Sequence, residues 1–287
     1  MKKSTLIPFL ILGFLMPYFL LSQTKIESET KNSILQSVEK QKADLIKMSD
    51  EIWAHAEIAF EEYESSRILS DYAEAQGFKV ERGVAEMKTA FIASYGSGKP
   101  IIGILGEFDA LPGISQKAVP EKEPLEPGKG GHGCGHNMFG VGSLGAAVAV
   151  KELIEAGKLN GTIRFYGTPA EEKYFGKLFF ARAGLFDDLD ACLDWHPSAK
   201  TKANVQSSLA LVDFIVEFYG QAAHASADPW NGRSASDAME LYTTGINYLR
   251  EHIKPTVRIH YHIQHGGDVV NVVPDYSKVW TRVRDSK

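Results

Sequence analysis

Ile101-Ile102-Gly103-Ile104-Leu105-Gly106-Glu107-Phe108-Asp109-Ala110-Leu111-Pro112 is a short apolar run that breaks into carboxylates. A continuous run of this length reads as a strand buried on both faces, the pattern of a largely parallel sheet. The same arrangement recurs twice: Thr162 to Tyr166 precedes Glu171 and Glu172, and Ala191 to Leu193 precedes Asp194 and His196. Met138 to Ala156, rich in Ala, Val and Leu, predicts a helix between two of these strands, and its glycines imply close packing. The sum is an α/β layered fold. Each polar cluster follows a predicted strand end, and that rim is where ligands bind in open α/β sheets.

Upstream, residues 26–76 alternate apolar and charged positions at helical spacing and predict two or three surface helices ending near Gly77. Their expected buried side holds Ile34, Leu35, Val38, Leu45, Ile46, Ile52, Trp53 and Ala56. Two short strands follow, Phe78 to Val80 and Thr89 to Tyr95, before the turn at Gly96-Ser97-Gly98. From about Val205 a second unit begins. Leu209 to Tyr219 predicts a strand, Ser234 to Leu249 a helix, Thr256 to His265 a strand, and Ser277 to Arg284 a further element.

A 44% hydrophobic, 23% charged composition is that of a globular chain and excludes disorder as the starting assumption. A formal charge of -5 without a basic stripe argues against nucleic acid as a partner. Lys2 and Lys3 followed by apolar Leu6 to Leu21 have the layout of a secretory signal, so residues 1–22 are expected to direct export to the periplasm or medium. Once the signal is removed, no stable membrane insertion is expected; an uncleaved N-terminal anchor is the alternative. Two cysteines, Cys134 and Cys192, make no disulfide framework.

Hydrolysis of an unactivated amide needs a strong nucleophile and charge on the carbonyl oxygen, and two divalent ions supply both. In His132-Gly133-Cys134-Gly135-His136-Asn137 the glycines let the backbone turn tightly enough for Cys134 and His136 to reach one place. Thiolate and imidazole suit zinc, with manganese and cobalt also admitted. Pro169-Ala170-Glu171-Glu172 sets two carboxylates side by side, so that one is free to bind metal while the other moves the proton of the attacking water. His196, at the end of Asp190 to Pro197, offers another imidazole, with Asp194 a candidate to orient it. Glu107 and Asp109 read as orienting carboxylates.

This combination resembles the metallopeptidase and amidohydrolase family that includes glutamate carboxypeptidase, aminoacylase and the auxin-conjugate hydrolases. Four ordered motifs carry the likeness: Glu107 to Gly113, Gly131 to Asn137, Thr168 to Lys173, and Leu185 to Ala191. The resemblance implies a two-metal centre with Cys134, His136, Glu172 and His196 as ligands, Cys134 bridging the ions. It implies Glu171 as the catalytic base and either Glu107 or Asp109 as the acidic residue behind the metal site. It also implies a catalytic domain over residues 26–204 and a lid and dimerisation domain over 205–287, the lid pairing identical or related subunits. Gly220 to Ala225 matches the lid's signature loop, so His224 is expected to contact substrate and the developing oxyanion, and Asn271 to contact substrate. The implied substrate is a small N-acyl or N-aroyl amino acid, such as p-aminobenzoyl-glutamate, or a dipeptide-like molecule.

Family members continue beyond the lid and there supply a last metal-binding His. Ending at Lys287, the sequence is expected to be C-terminally truncated, with the lid incomplete and the fragment inactive. A non-catalytic metal- or ligand-binding remnant of such an enzyme is the competing reading, and a structural zinc protein a third. Intact Cys134, His136, Glu171, Glu172 and His196 argue against the remnant, and the free carboxylate of Glu171 argues against a structural zinc site.

Overall fold

The computed structural model describes residues 9–203 and 207–286 and falls into two units, residues 1–200 and 201–287. Residues 1–8 of the expected export signal lie outside the described residues, as do residues 204–206 and 287.

In the first unit the deciding run forms β3 (Ile101–Glu107), paired in parallel with β4 (Gly161–Thr168) and with β5 (Ala191–Leu193). The strands β1 (Lys79–Arg82) and β2 (Phe91–Ser97) complete a five-stranded sheet of order β1-β2-β4-β3-β5. Only β2 runs against the others, because it pairs antiparallel with both β1 and β4. The layered α/β reading holds, with one reversed strand in the sheet.

Side chains alternate between two cores, as strand geometry requires. Phe91, Ala93, Ile163 and Phe165 enter one core, beneath α1 (Phe9–His55), α2 (Tyr63–Ala75) and α3 (His136–Glu155). Ile92 and Tyr166 enter the other, with Phe180 of α5 (Lys177–Arg182) and the flanking Phe186 and Leu189. Gly140 lets the first turn of α3 lie against the end of β3: a Cβ there would stand 2.7 Å from the Glu107 carbonyl oxygen.

Two expectations change. The buried stripe of α1 runs through Ser37, Gln41, Met48 and Ile52, whereas Leu35, Val38 and Ile46 are exposed. The glycines of α3 explain the difference. Leu45 seats on Gly145, and Gln41 Nε2 reaches the Gly145 carbonyl at 3.4 Å, so the contact face is chosen by what fits a groove rather than by hydrophobicity alone. The run Ala191 to Leu193 reads as a buried strand yet is exposed throughout, because β5 is the sheet edge and pairs only with β3 among the described residues.

Register sets up the site. Glu107 lies opposite Thr168, so β3 and β4 end level. Ile104 lies opposite Leu193, the last pair of this register, and His196 follows three residues after it.

The second unit is a three-stranded antiparallel sheet, with β8 (Tyr276–Asp285) between β6 (Ala210–Tyr219) and β7 (Arg258–His265). Helix α6 (Ala235–Leu249) is capped by Ser234, whose hydroxyl accepts the Asp237 N–H at 3.0 Å. It buries Ala235, Met239, Thr243 and Ile246 at helical spacing and reaches β8 through Tyr242 and Thr281, 2.9 Å apart.

Candidate metal centre

The ends of β3, β4 and β5 and the turn before α3 each deliver polar side chains to one rim. Gly135, with φ 77, turns the chain into the left-handed region and makes His136 the first residue of α3. The imidazole of His136 is fully buried between two carboxylates, with Nδ1 3.0 Å from Asp109 Oδ1 and Nε2 2.8 Å from Glu107 Oε2. Asp109 Oδ2 also accepts the backbone N–H of Glu172 at 2.9 Å. Asp109 thus stands behind His136, while Glu107 faces the same space as Glu171; the ligand atoms of Glu107, His136 and Glu171 lie within 4.8 Å of one another.

A second group overlaps the first. The ligand atoms of Cys134, His136 and His196 also lie within 4.8 Å of one another, with Cys134 Sγ 3.6 Å from His196 Nε2. The other ring nitrogen of His196 donates to the Pro197 carbonyl at 2.9 Å, so the ring is oriented by backbone and not by Asp194. Both cysteines are free thiols.

The glutamate pair sits on an elbow. Ala170, fully buried, adopts φ 59 and ψ 33 and starts the one-turn helix α4 (Glu171–Tyr174), and Phe175 leaves it with φ 56 and ψ 57. Gly176 closes the elbow: a Cβ there would fall 1.9 Å from the Pro169 carbonyl oxygen. Gly176→Ala is therefore expected to push backbone from backbone and cost about 1–3 kcal/mol, read as a lowered denaturation midpoint.

Among the buried polar atoms of the described residues that have no hydrogen-bond partner, three belong to this site: Glu107 Oε2, His136 Nε2 and Glu172 Oε1. They converge, because Glu172 Oε1 is 3.9 Å from the same Nε2 that Glu107 approaches. With Nδ1–H donating to Asp109, Nε2 faces two carboxylate oxygens, an arrangement that calls for positive charge among these atoms, either a proton on Nε2 or a bound cation. The charges agree with this. Burial, then Glu172, Glu171 and Asp109, push the Cys134 thiol up to about 11. Burial and the adjacent Glu172 raise Glu171. Burial alone would lower His136, yet the Asp109 bond and the neighbouring carboxylates outweigh it and raise the group. The donor set fits divalent metal.

Two residues of this region take part without being among the predicted site residues. Lys177 donates to Glu107 Oε1, and burial brings its pKa down to about 8 against the pull of Asp194 and Cys192. Its only trace in the sequence is a lysine opening the apolar stretch Leu178 to Ala181. His132 donates from Nε2 to the Ile52 carbonyl at 3.1 Å, and burial lowers it to about 4. A histidine whose folded pKa lies below its unfolded value of about 6.5 adds stability above that pH and loses it as pH falls through 4. The stability gap between the wild type and His132→Asn is therefore expected to shrink between pH 7 and pH 4, by up to about 3 kcal/mol, in denaturant titrations. A constant gap would contradict a neutral buried ring.

His224 and Asn271 lie in the second unit. The backbone of His224 bridges Val272, and the Ala225 N–H donates to the Asn271 carbonyl at 3.0 Å, so the two residues are neighbours. The N–H groups of Ser226 and Ala227 each reach His224 Nδ1 at 3.3 Å, leaving Nε2 to carry the ring proton.

An α/β sheet whose strand ends gather thiol, imidazoles and carboxylates around unpartnered acceptors has the donor set of a divalent-metal site. Residues 103–282 match the sequence model of Peptidase family M20/M25/M40, and the chain belongs to that family. It is 46% identical over 246 residues to a p-aminobenzoyl-glutamate hydrolase subunit of Escherichia coli (strain K12), covering 83% of this chain and 50% of that one. It is 32% identical over 253 residues to Xaa-Arg dipeptidase of Homo sapiens, covering 81% and 53%. The chain thus spans about half the length of these curated relatives. Among solved structures, an aminobenzoyl-glutamate utilization protein from Klebsiella pneumoniae superposes with TM-score 0.62 at 19% identity, over 88% of this chain and 69% of that one. A dinuclear metal-binding peptidase of the same family from Bacillus subtilis does so with TM-score 0.57 at 24% identity, over 86% and 65%. These two likenesses establish the fold.

Proposed function

We propose that the protein to which this chain belongs hydrolyses the amide bond of an N-acyl or N-aroyl amino acid, such as p-aminobenzoyl-glutamate, or of a dipeptide-like substrate. The convergence of Glu107 Oε2, His136 Nε2 and Glu172 Oε1 carries the reading, because such a cluster calls for positive charge among its atoms and a divalent ion supplies it. Cys134, His136, Glu172 and His196 would hold two divalent ions, zinc or manganese foremost and cobalt as an alternative. When bound, the ions supply the charge that makes water nucleophilic and polarises the carbonyl. Asp109, by accepting from Nδ1, would hold His136 in the tautomer that leaves Nε2 free to bind an ion. A carboxylate oxygen of Glu171 takes the proton of the attacking water and returns it to the departing nitrogen, a role that its raised pKa favours.

In this reading residues 26–204 are the catalytic domain and residues 205–287 belong to the lid, where His224 and Asn271 touch substrate. Exposed Leu241 and Tyr248 on α6 support pairing with an identical or related subunit through the lid. The relative at 46% identity is itself named as one of two different subunits of its enzyme, which supports a related partner. Lys2, Lys3 and the apolar run to Leu21 support export.

The test is metal analysis of the chain, with release of glutamate from p-aminobenzoyl-glutamate and of amino acids from N-acetyl amino acids and dipeptides. It is made on the chain itself and on the chain joined to the remaining half of its E. coli relative. Metal binding with turnover supports the proposal. Metal binding without hydrolysis of any of these amides by either form would replace it with a non-catalytic metal- or ligand-binding role.

A further inference from the structure

The carboxylate of Glu62 is fully buried and stands outside the candidate ligand set; besides backbone bonds to its own residue and to Phe60, it has two partners beyond this segment. Its Oε1 accepts the backbone N–H of Ala170 at 2.8 Å and its Oε2 accepts the Thr89 hydroxyl at 3.1 Å. An apolar side chain would fill this space at lower desolvation cost, so the carboxyl is there for what it bonds. What it bonds is the strained residue of the elbow. A left-handed alanine is strained by the crowding of its Cβ against the backbone, and a buried N–H without an acceptor adds a desolvation penalty. With both unopposed, Ala170 would relax toward an ordinary backbone conformation and carry Glu171 and Glu172 away from His136.

Glu62 closes a strap, residues 52–62, that also touches the loops bearing Cys134 and Asp109 and the one-turn helix α4. The Ile52 carbonyl holds His132 beside Cys134, the Glu57 carbonyl accepts the Ala110 N–H at 2.8 Å beside Asp109, and Phe60 stacks on Tyr174 of α4 with ring centroids 5.2 Å apart. Phe60 itself has φ 64, so the strap is held in a conformation that it would not adopt alone.

We propose that Glu62 is a positioning residue for the metal centre: it clamps the Ala170 N–H and so fixes the direction in which Glu171 and Glu172 leave β4. The inference rests on the proposed two-metal function. The clamp itself is measurable without metal.

Three variants test it in the full chain. Glu62→Ala removes the acceptor, Glu62→Met removes it while filling the space, and Glu62→Gln keeps an acceptor oxygen. Hydrogen exchange of the peptide containing Ala170, in metal-free protein, is expected to accelerate in the Ala and Met variants and to stay slow in the Gln variant. Affinity for Co²⁺ is expected to fall about 10–100-fold in the Ala and Met variants, with an altered visible absorption of the bound ion, and to return to within about threefold of wild type in Glu62→Gln. A residue that merely fills the core would lower the melting temperature in Glu62→Ala, recover it in Glu62→Met, and leave exchange and Co²⁺ spectrum unmoved. That pattern, or failure of Glu62→Gln to restore affinity, overturns the proposal. Absence of Co²⁺ binding by the wild type would instead overturn the two-metal function, and the inference with it.

Discussion

Glu171→Gln is expected to lower kcat by about 10²–10⁴-fold in the active protein while leaving its metal in place. The amide has the shape of the carboxylate and lacks its ability to take a proton, so the variant isolates proton movement from packing. Glu171 lies beside Glu172 in the first turn of α4, and its raised pKa places it closer to neutrality than an ordinary carboxylate, as a group that first accepts and then returns a proton requires. Metal content by mass spectrometry completes the experiment. Retention of metal with loss of turnover supports the assignment; loss of metal would mean that Glu171 is the ligand and Glu172 the base.

Asp109→Asn should weaken metal binding about 10–100-fold, although Asp109 is not a proposed ligand. The carboxylate accepts from both sides, Nδ1–H of His136 at 3.0 Å and the Glu172 backbone N–H at 2.9 Å. An asparagine has one oxygen. If that oxygen serves Glu172, the amide NH₂ faces His136 and moves its proton to Nε2, the atom that points at Glu107 and Glu172. If the oxygen serves His136 instead, a buried N–H of Glu172 meets an NH₂. Either way one proposed ligand is disturbed, with a stability loss of about 1–3 kcal/mol for the unsatisfied donor. Metal titration and thermal melting read the two effects. Unchanged affinity would remove Asp109 from the orienting role.

Much of the fold was legible because the informative patterns are local. The runs at Ile101, Thr162, Leu209 and Thr256 become β3, β4, β6 and β7 within a few residues, and Met138 to Ala156 becomes α3. Period and apolar content suffice for such elements. Where burial depends on a neighbour, the pattern misleads. Leu35, Val38 and Ile46 are as apolar as Met48, yet only the stripe that fits the glycine groove of α3 is covered. Ala191 to Leu193 looks like an interior strand and lies on the edge, since nothing in a strand's own residues says how many neighbours it has.

At the site, the residue types and their places after strand ends were readable: Cys134, His136, Glu171, Glu172 and His196 announce themselves by type and spacing. Glu62, Lys177 and the left-handed Ala170 did not, because each matters only through a partner tens of residues away. The sequence by itself determined the layered α/β architecture, the strand-end placement of the polar residues and the donor chemistry. Tertiary structure decided which acidic residue stands behind His136 and which faces the ligand side. It also decided what holds the glutamate elbow, and which atoms are left without partners. The physical reason is that secondary structure and ligand type follow from near neighbours along the chain, whereas the direction of a buried lone pair is set by register between strands and by hydrogen bonds across the fold.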